Sequence, residues 1–421
     1  MAMVPGEIRE RMGAFALGYL SRRPLTVGRL RLVAEGGGEF SVRSAAERHA
    51  PILYRIFLGA SLLISLSSTP VSGQDYESAA GCPNCSIAVR RFITLTGGAE
   101  GLEGDPRSAV VLRDRRLLFV DWSSDRPVYI ADLGRDAVRP VMRTGDGPGE
   151  VRFAITVHRS WNDTVFVFDD MSRRMNVLSP DGSFLTSFRV DVSSLAPEFV
   201  QLRDGRFALA ATIQTRDRSG LPLHFVSREG AILGSFGLTD ATTRMITHDE
   251  RFRLERRLAV ENDSTFLSVR TGSYVIERWS AQGMLLGSWD MAAEWFAPKD
   301  RVMATSYQEA PPPRIVGIQV DPHGRVWTLV LRADDEWKTG VEPPSRPPAV
   351  MNVTSYGDYL DTQIEVFDGA TMTRLASLRI DAPLGGFVAP GIATSVEAVD
   401  AEGNPVVHLW RLQMNPPMSR P

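Results

Sequence analysis

Residues 155–188 read ITVHRSWNDTVFVFDDMSRRMNVLSPDGSFLTSF and hold four short apolar runs in succession. The runs cover residues 155–157, 165–168, 175–178 and 184–188, and most of their residues are of the β-branched, aromatic and aliphatic types found in strands. Asn162-Asp163 separates the first two runs and Pro180-Asp181-Gly182 separates the last two, and both are typical of tight turns. The stretch therefore predicts four antiparallel strands joined as a β-meander.

The same order of runs and turns recurs along the chain from residue 86 onward. The turns between a first and a second run fall at Asp114, Asn162, Asp204, Asn262, His323 and Glu402. Their spacings are 48, 42, 58, 61 and 79 residues, whereas a four-stranded propeller blade takes about 40–50 residues. Insertions at 239–254, 291–313 and 334–362 account for the longer spacings. The sequence thus predicts an all-β fold, a six-bladed β-propeller of four-stranded antiparallel blades.

The two ends of the repeat region complement each other. The sixth copy begins at residues 393–399, continues at 406–409 and lacks an outer strand, while residues 87–93 form an apolar run with no blade of their own. Pairing 87–93 with the strand around Val406 to Trp410 would close the ring and remove two unpaired edges. The alternative is two packed β-domains with a break near residues 311–313.

The N-terminal region has the features of an export signal. Arg48, His49 and Arg55 precede an apolar stretch from Ile56 to Leu66, and small residues follow up to residue 73. This pattern predicts a cleaved secretory signal, because a membrane anchor needs about 20 apolar residues. An uncleaved anchor and a buried helix remain alternatives. We therefore divide the chain into a leader and signal segment, 1–73, and a single propeller domain, 74–421, exported to the periplasm or cell surface.

The only two cysteines, Cys82 and Cys85, follow the signal closely. In an exported protein such a pair predicts a local disulfide. A zinc site would need a second pair of ligands, and covalent haem would need His after Cys85, where Ser86 stands. A redox pair, a metal site and a lipid anchor at Cys82 remain alternatives.

Composition excludes several classes of protein. The 421 residues are 43% hydrophobic and 23% charged, with a formal net charge of −3, which are ordinary values for a globular protein. Arginine and aspartate are scattered without a basic stripe, so nucleic acid is not an expected partner. Membrane contact is expected only through an uncleaved signal or a lipid anchor, and the protein is expected to be a monomer.

Two stretches resemble a known family. Residues 317–327, GIQVDPHGRVW, resemble the NHL-type propeller repeat, and residues 143–151, RTGDGPGEV, resemble a glycine-rich stretch of bacterial exported six-bladed propellers. The close cysteine pair before the first strand is also similar to members of that group. The resemblance implies the fold far more than a function. The glycines at 145–149 predict a connection between blades, because neither the Lys-Ser/Thr nor the helix of a phosphate loop follows them.

Candidate site residues are few and scattered. Those on or near predicted inner strands are Arg152, His158, Trp161, His323 and Glu397, and the aromatic residues in the insertions are Trp295, Phe296, Trp337, Tyr356 and Tyr359. We predict a binding role for Arg152, His158, Trp161, Trp337, Tyr356 and Tyr359. Exposed loop positions and satellite packing are the structural alternatives.

No nucleophile elbow, metal triad or carboxylate pair with assignable roles is evident in the sequence. We therefore predict no catalytic residue, metal or cofactor. Two functions stay open: a non-catalytic binding or scaffold module for a protein, peptide or glycan, and a cation-dependent hydrolase or lactonase with its site in the central funnel.

Overall fold

The fold consists of β-strands arranged in six sheets. The computed structural model describes residues 82, 85–96, 106–112, 114–121, 128–134, 137–190, 192, 198–213, 220–237, 254–291, 293–296, 310–335, 360–399 and 405–415. The predicted signal segment, 1–73, lies outside these residues.

Each sheet is one blade, and the described part of the chain holds 25 strands. The chain begins with β1 (Ser86–Thr96). Blade one contains β2 (Pro106–Val111), β3 (Arg116–Asp121), β4 (Val128–Asp132), β5 (Ala137–Thr144) and the short β6 (Glu150–Val151). Blade two contains β7 (Ala154–Arg159), β8 (Val165–Asp169), β9 (Arg174–Leu178) and β10 (Phe184–Arg189). Blade three contains β11 (Glu198–Gln201), β12 (Phe207–Ala210), β13 (Leu223–Val226) and β14 (Ile232–Phe236).

The second half of the chain repeats the arrangement. Blade four contains β15 (Arg256–Val260), β16 (Thr265–Arg270), β17 (Val275–Ser280) and β18 (Leu285–Asp290). Blade five contains β19 (Arg314–Val320), β20 (Val326–Ala333), β21 (Leu360–Phe367) and β22 (Arg374–Ile380). Blade six contains β23 (Leu384–Ala389), β24 (Ile392–Val399), β25 (Pro405–Asn415) and the N-terminal β1. The antiparallel meander predicted for the first five copies is confirmed, and β6 adds a two-residue parallel pairing to β5.

The N-terminal strand lies at the outer edge of blade six. β1 pairs with β25 in antiparallel register from Ser86 opposite Asn415 to Thr96 opposite Val406. The two strands predicted to pair therefore do so, over a longer stretch than the sequence indicated.

The predicted strand order of blade six was wrong. Its first strand is β23, which the sequence analysis did not recognise, so residues 392–399 form the second strand and 405–415 the third. The first turn of this blade is Pro390-Gly391, between β23 and β24, and Glu402 lies in the next connection. The 79-residue spacing therefore compared turns that are not equivalent.

The first strands of the blades contact one another in cyclic order, all running in the same direction. Hydrogen bonds join four neighbouring pairs: Arg159 to the Val111 carbonyl, Gln201 N–H to His158, Arg257 to Glu198, and Arg314 to Glu255. The N–H of Gly391, in the turn that follows β23, donates to Gln319 of β19, and β23 contacts β2. Each of these pairs joins like ends of neighbouring first strands. The first strands thus form the inner ring of the propeller.

One type of turn recurs between paired strands. In blades two to five the backbone N–H of residue i+3 of the turn donates to the carbonyl of residue i. Examples are Gly182 to Ser179 (2.9 Å), Gly205 to Leu202 (2.9 Å) and Gly324 to Asp321 (2.9 Å). The donor residue has positive φ, 87° at Gly182 and 75° at Gly324. Such a turn ending in a left-handed residue is a common hairpin connection that favours glycine. This explains why Asp-Gly pairs marked the repeat in the sequence.

The two faces of the ring differ in their connections. Connections from first to second and from third to fourth strands are two to six residues long, and they lie at one end of the blades, here called the turn face. Connections from second to third strands and between blades leave from the opposite end, the loop face, and reach 26 residues between β20 and β21. The described ends of the three predicted insertions all lie at the loop face.

The cysteine pair lies beside the start of β1, at the turn face. Cys82 and Cys85 are joined by a disulfide, with their Cα atoms 5.3 Å apart. Cys85 N–H donates to the Cys82 carbonyl at 3.0 Å, and Cys85 packs in the cluster that holds Ile87 and Met414. The two cysteines thus lie at disulfide distance, in agreement with the sequence prediction.

Candidate functional site

Four charged side chains lie side by side at the loop-face ends of three neighbouring first strands. Glu198 begins β11, Arg257 lies at the start of β15 next to Glu255, and Arg314 begins β19. Arg257 donates to Glu198 at 3.1 Å and lies 3.3 Å from Glu255. Arg314 donates to both carboxylate oxygens of Glu255, at 2.8 and 3.0 Å. We call Glu198, Arg257, Glu255 and Arg314 the charged chain.

The charged chain is electrically balanced, with two carboxylates and two guanidiniums in alternation. Burial would raise the pKa of Glu255, but Arg314 and Arg257 outweigh it, so the pKa lies below its ordinary value. At Glu198 burial prevails over Arg257, and the pKa is raised. Burial would lower the pKa of Arg257, but the two glutamates outweigh it and raise that pKa. Although the two pKa values shift in opposite directions, each carboxylate is bound to an arginine.

Sequence reasoning did not find the charged chain. Arg257 and Glu198 are 59 residues apart in sequence, as are Arg314 and Glu255. Only the ring brings the starts of three blades together. One sequence signal could have pointed to these residues. Each lies at or beside the start of a first strand, directly after a long connection.

Arg152 lies at the loop face, in the connection that enters β7. Its guanidinium is bound to Asp146, and its side chain is 50% exposed. The backbone N–H groups of Arg152 and Phe153 donate to the buried Asp169 at 2.7 and 3.0 Å. The connection is thus held in place while the Arg152 side chain faces solvent.

The glycine-rich stretch before Arg152 is a connection between blades, as predicted. Gly149 has φ of +76°, a conformation that favours glycine. The N–H of Gly147 donates to the carboxylate of Glu150 at 2.8 Å. A carboxylate of the chain itself therefore occupies a donor that a phosphate loop would offer to its ligand.

His158 and Trp161 lie near the opposite, turn-face end of β7. The His158 ring packs edge-on against Phe199 with centroids 5.5 Å apart, and its Nε2 accepts the N–H of Gln201 at 3.4 Å. Burial, with a smaller contribution from Arg159, lowers the pKa of His158 to about 4. Trp161 is 51% exposed, and the Arg203 guanidinium lies 4.8 Å from its ring centroid.

Among the described candidates, Arg152 does not share a site with His158 and Trp161. β7 holds six residues, so Arg152 and Trp161 are separated by roughly 20 Å of strand. His158 is a neutral side chain packed between blades two and three. Trp337, Tyr356 and Tyr359 lie outside the described residues.

The other candidates are accounted for by turns and packing. His323 is exposed, and its N–H donates to Asp321 at 2.9 Å, as expected of a turn residue. Phe296 is buried with its ring centroid 5.1 Å from that of Tyr274, and the partly buried Trp295 packs against the same cluster. Glu397 was predicted on an inner strand, but it lies in β24, the second strand of its blade, because β23 is the inner strand. Phe296 and Trp295 thus pack beneath a connection, which is the satellite packing given as the alternative to a binding role.

Solved structures share this architecture at low sequence identity. A Bacteroides fragilis protein thought to be exported matches with a TM-score of 0.50 and 10% identity, over 80% of this chain and 97% of its own. A member of the DUF4221 family from Bacteroides vulgatus matches with a TM-score of 0.55 and 8% identity, over 78% and 99%. A Xanthomonas campestris gluconolactonase matches with a TM-score of 0.45 and 14% identity, over 82% and 97%. The first two support the propeller fold and nothing finer.

No protein-family model and no curated protein sequence matches the chain. In the part of the chain that the structure describes, no helix combines the length and apolar character needed to span a membrane.

Proposed function

We propose that the protein is an exported, non-catalytic binding module that takes up a partner protein, peptide or glycan on its loop face. The observation that carries this proposal is the unequal length of the connections on the two faces. Binding residues are commonly found on loops that a rigid scaffold positions. In this ring the long connections all leave from one face, while the other face carries tight turns of two to six residues.

The chemistry of the charged chain supports binding rather than catalysis. A general base needs a carboxylate within reach of a substrate proton, and a nucleophile needs a base beside it. Glu198 and Glu255 are each bound to an arginine at 2.8–3.1 Å. A partly exposed row of alternating charges instead gives a binding surface its orientation and specificity.

The second candidate function is a cation-dependent hydrolase or lactonase with its site in the funnel. It would require carboxylates on the inner strands that are free to hold a cation. At the three first strands that carry the charged chain, arginines neutralise both glutamates. This arrangement favours the binding module.

Export of the protein rests on the pattern of basic, apolar and small residues at 48–73. The disulfide between Cys82 and Cys85 is consistent with an oxidising compartment. We place the protein in the periplasm or at the cell surface on these grounds.

Two matched arginine variants test which face binds. Arg152 on the loop face and Arg203 on the turn face each have a side chain that is 50% exposed and paired with one exposed aspartate. The mature protein is applied to peptide and glycan arrays, and the best ligand is measured with Arg152→Glu and Arg203→Glu. We expect Arg152→Glu to weaken binding several-fold and Arg203→Glu to leave it unchanged.

The same material is assayed for turnover of ester, lactone and peptide substrates. Deletion of 341–358 extends the test to the longest loop-face connection, with unfolding measured in parallel. Weakening by Arg203→Glu alone would place binding on the turn face. Reproducible metal-dependent hydrolysis would overturn the non-catalytic assignment.

A further inference from the structure

Three aspartates meet at the loop face of blade five, away from the charged chain. Asp334 follows β20, Asp361 is the second residue of β21, and Asp381 follows β22. One carboxylate oxygen of each lies within 4.8 Å of the others. The group joins the second, third and fourth strands of the blade, and its described residues flank the 26-residue connection.

The buried member of this group has an oxygen without a donor. Asp361 is only 6% exposed, and its Oδ1 has no hydrogen-bond partner. Arg379 donates through Nε to the other oxygen, Oδ2, at 2.5 Å. Arg379 also donates to Asp335 and to the Ala333 carbonyl, and none of these hydrogen bonds reaches Oδ1. A buried, unpaired carboxylate oxygen is costly unless a ligand satisfies it.

The local charge points to a cation as that ligand. Three carboxylates meet here, and the Arg379 guanidinium binds the buried one, Asp361, through only one of its two oxygens. A divalent cation would satisfy the remaining oxygen of Asp361 and reduce the repulsion between the three carboxylates.

We propose that Asp334, Asp361 and Asp381 bind one calcium ion through a carboxylate oxygen each. Calcium takes six to eight oxygen ligands at about 2.3–2.6 Å, so two ligands on opposite sides of the ion are about 4.8 Å apart. The observed separation of the oxygens fits this limit. Asp381 is exposed and Asp334 is partly exposed, so water reaches the remaining coordination positions. The site lies between outer strands and does not depend on the binding role proposed for the loop face.

Calcium titration of the mature chain in metal-free buffer tests the site. We expect one calcium per chain by calorimetry and a higher melting temperature in calcium. Terbium luminescence excited through tryptophan gives a second readout, because Trp295 lies 5.4 Å from the Arg332 guanidinium, which in turn lies 3.9 Å from Asp335. Asp361→Asn and Asp381→Asn should each weaken calcium binding by about tenfold or more. Replacing a residue that only supports a metal ligand typically weakens metal binding by about tenfold or more, and loss of a ligand itself should cost at least as much.

Asp290→Asn is the matched control, since Asp290 is an exposed aspartate at the loop-face end of β18. It should leave calcium affinity unchanged. Asp381 is exposed, so its variant is expected to fold even if Asp361→Asn does not. Absence of calcium binding, equal weakening by Asp290→Asn and Asp381→Asn, or tighter binding of magnesium than of calcium would each overturn the proposal.

Discussion

Removing the hydroxyl of Tyr274 should destabilise the contact between blades four and five. The side chain is fully buried, and its O–H donates to Glu365 of blade five. Thr328 Oγ1 lies 2.7 Å from the same hydroxyl. Tyr274→Phe keeps the ring and its packing but leaves a buried carboxylate one donor short. A hydrogen bond to a charged group contributes about 1.5–3 kcal/mol, so the free energy of unfolding should fall by that amount at pH 8.

The loss of stability caused by Tyr274→Phe should be larger at high pH than at low pH. Burial raises the pKa of Glu365, and the Tyr274 hydroxyl lowers it. The folded state therefore keeps its proton to a higher pH than the unfolded chain does, and this contribution to stability is lost as pH rises through the folded pKa. Without the hydroxyl that pKa rises further, so the variant loses stability over a wider range of pH. The difference between wild type and Tyr274→Phe should shrink to about 1 kcal/mol at pH 4, where the acceptor is neutral.

Urea unfolding followed by tryptophan fluorescence at pH 4 and pH 8 measures both quantities. Thr328→Val is the control, because it removes the neutral partner of the same hydroxyl and should cost about 1 kcal/mol at either pH. Equal costs of Tyr274→Phe at the two pH values would refute the assignment of Glu365 as the charged acceptor. So would a cost at pH 8 no larger than that of Thr328→Val.

Three further predictions concern other parts of the chain. Cys82→Ser should leave the propeller folded and cost about 2 kcal/mol or less, because the disulfide closes a very short loop; circular dichroism and urea unfolding of this variant check it. The His158 ring should titrate in the folded protein near pH 4 by NMR, and its contribution to stability should be lost as pH falls from 6.5 through 4; a midpoint near 6.5 would contradict its packing. N-terminal sequencing of exported protein should begin close to Gln74, and an intact Met1 form in the cytoplasm would contradict the signal.

The repeat could be read from the sequence because its turns have a local chemical signature. Asp204-Gly205 and Pro180-Asp181-Gly182 mark positions where the backbone needs positive φ, and the structure has such turns there. Strand β23 lacked that kind of signal. Gly385 and Gly386 interrupt its apolar pattern, and glycine inside a run argues against a strand.

The packing of neighbouring blades explains why residue 317 is glycine. The first strands of blades five and six approach closely, and a Cβ on Gly317 would lie 3.0 Å from the Phe387 ring. Such a contact depends on the packing of two blades, which local propensity does not describe.

The candidate sites were beyond sequence reasoning for a different reason. The charged chain and the Asp334, Asp361 and Asp381 group join residues from different strands, and pattern analysis places strands without saying which side chains meet. Arg152 was placed correctly beside a blade connection, since the glycine stretch identified that connection. Trp161 was grouped with it by sequence proximity, although an intervening strand carries the two residues to opposite faces.

Hydrogen exchange with and without a saturating array ligand tests most directly that the loop face is the binding face. We expect slower exchange in loop-face segments, such as 145–153 and 271–274, on addition of the ligand. Exchange at the turns 202–206 and 321–325 on the other face should not change. Protection confined to those turns, with the loop face unaffected, would contradict the central claim.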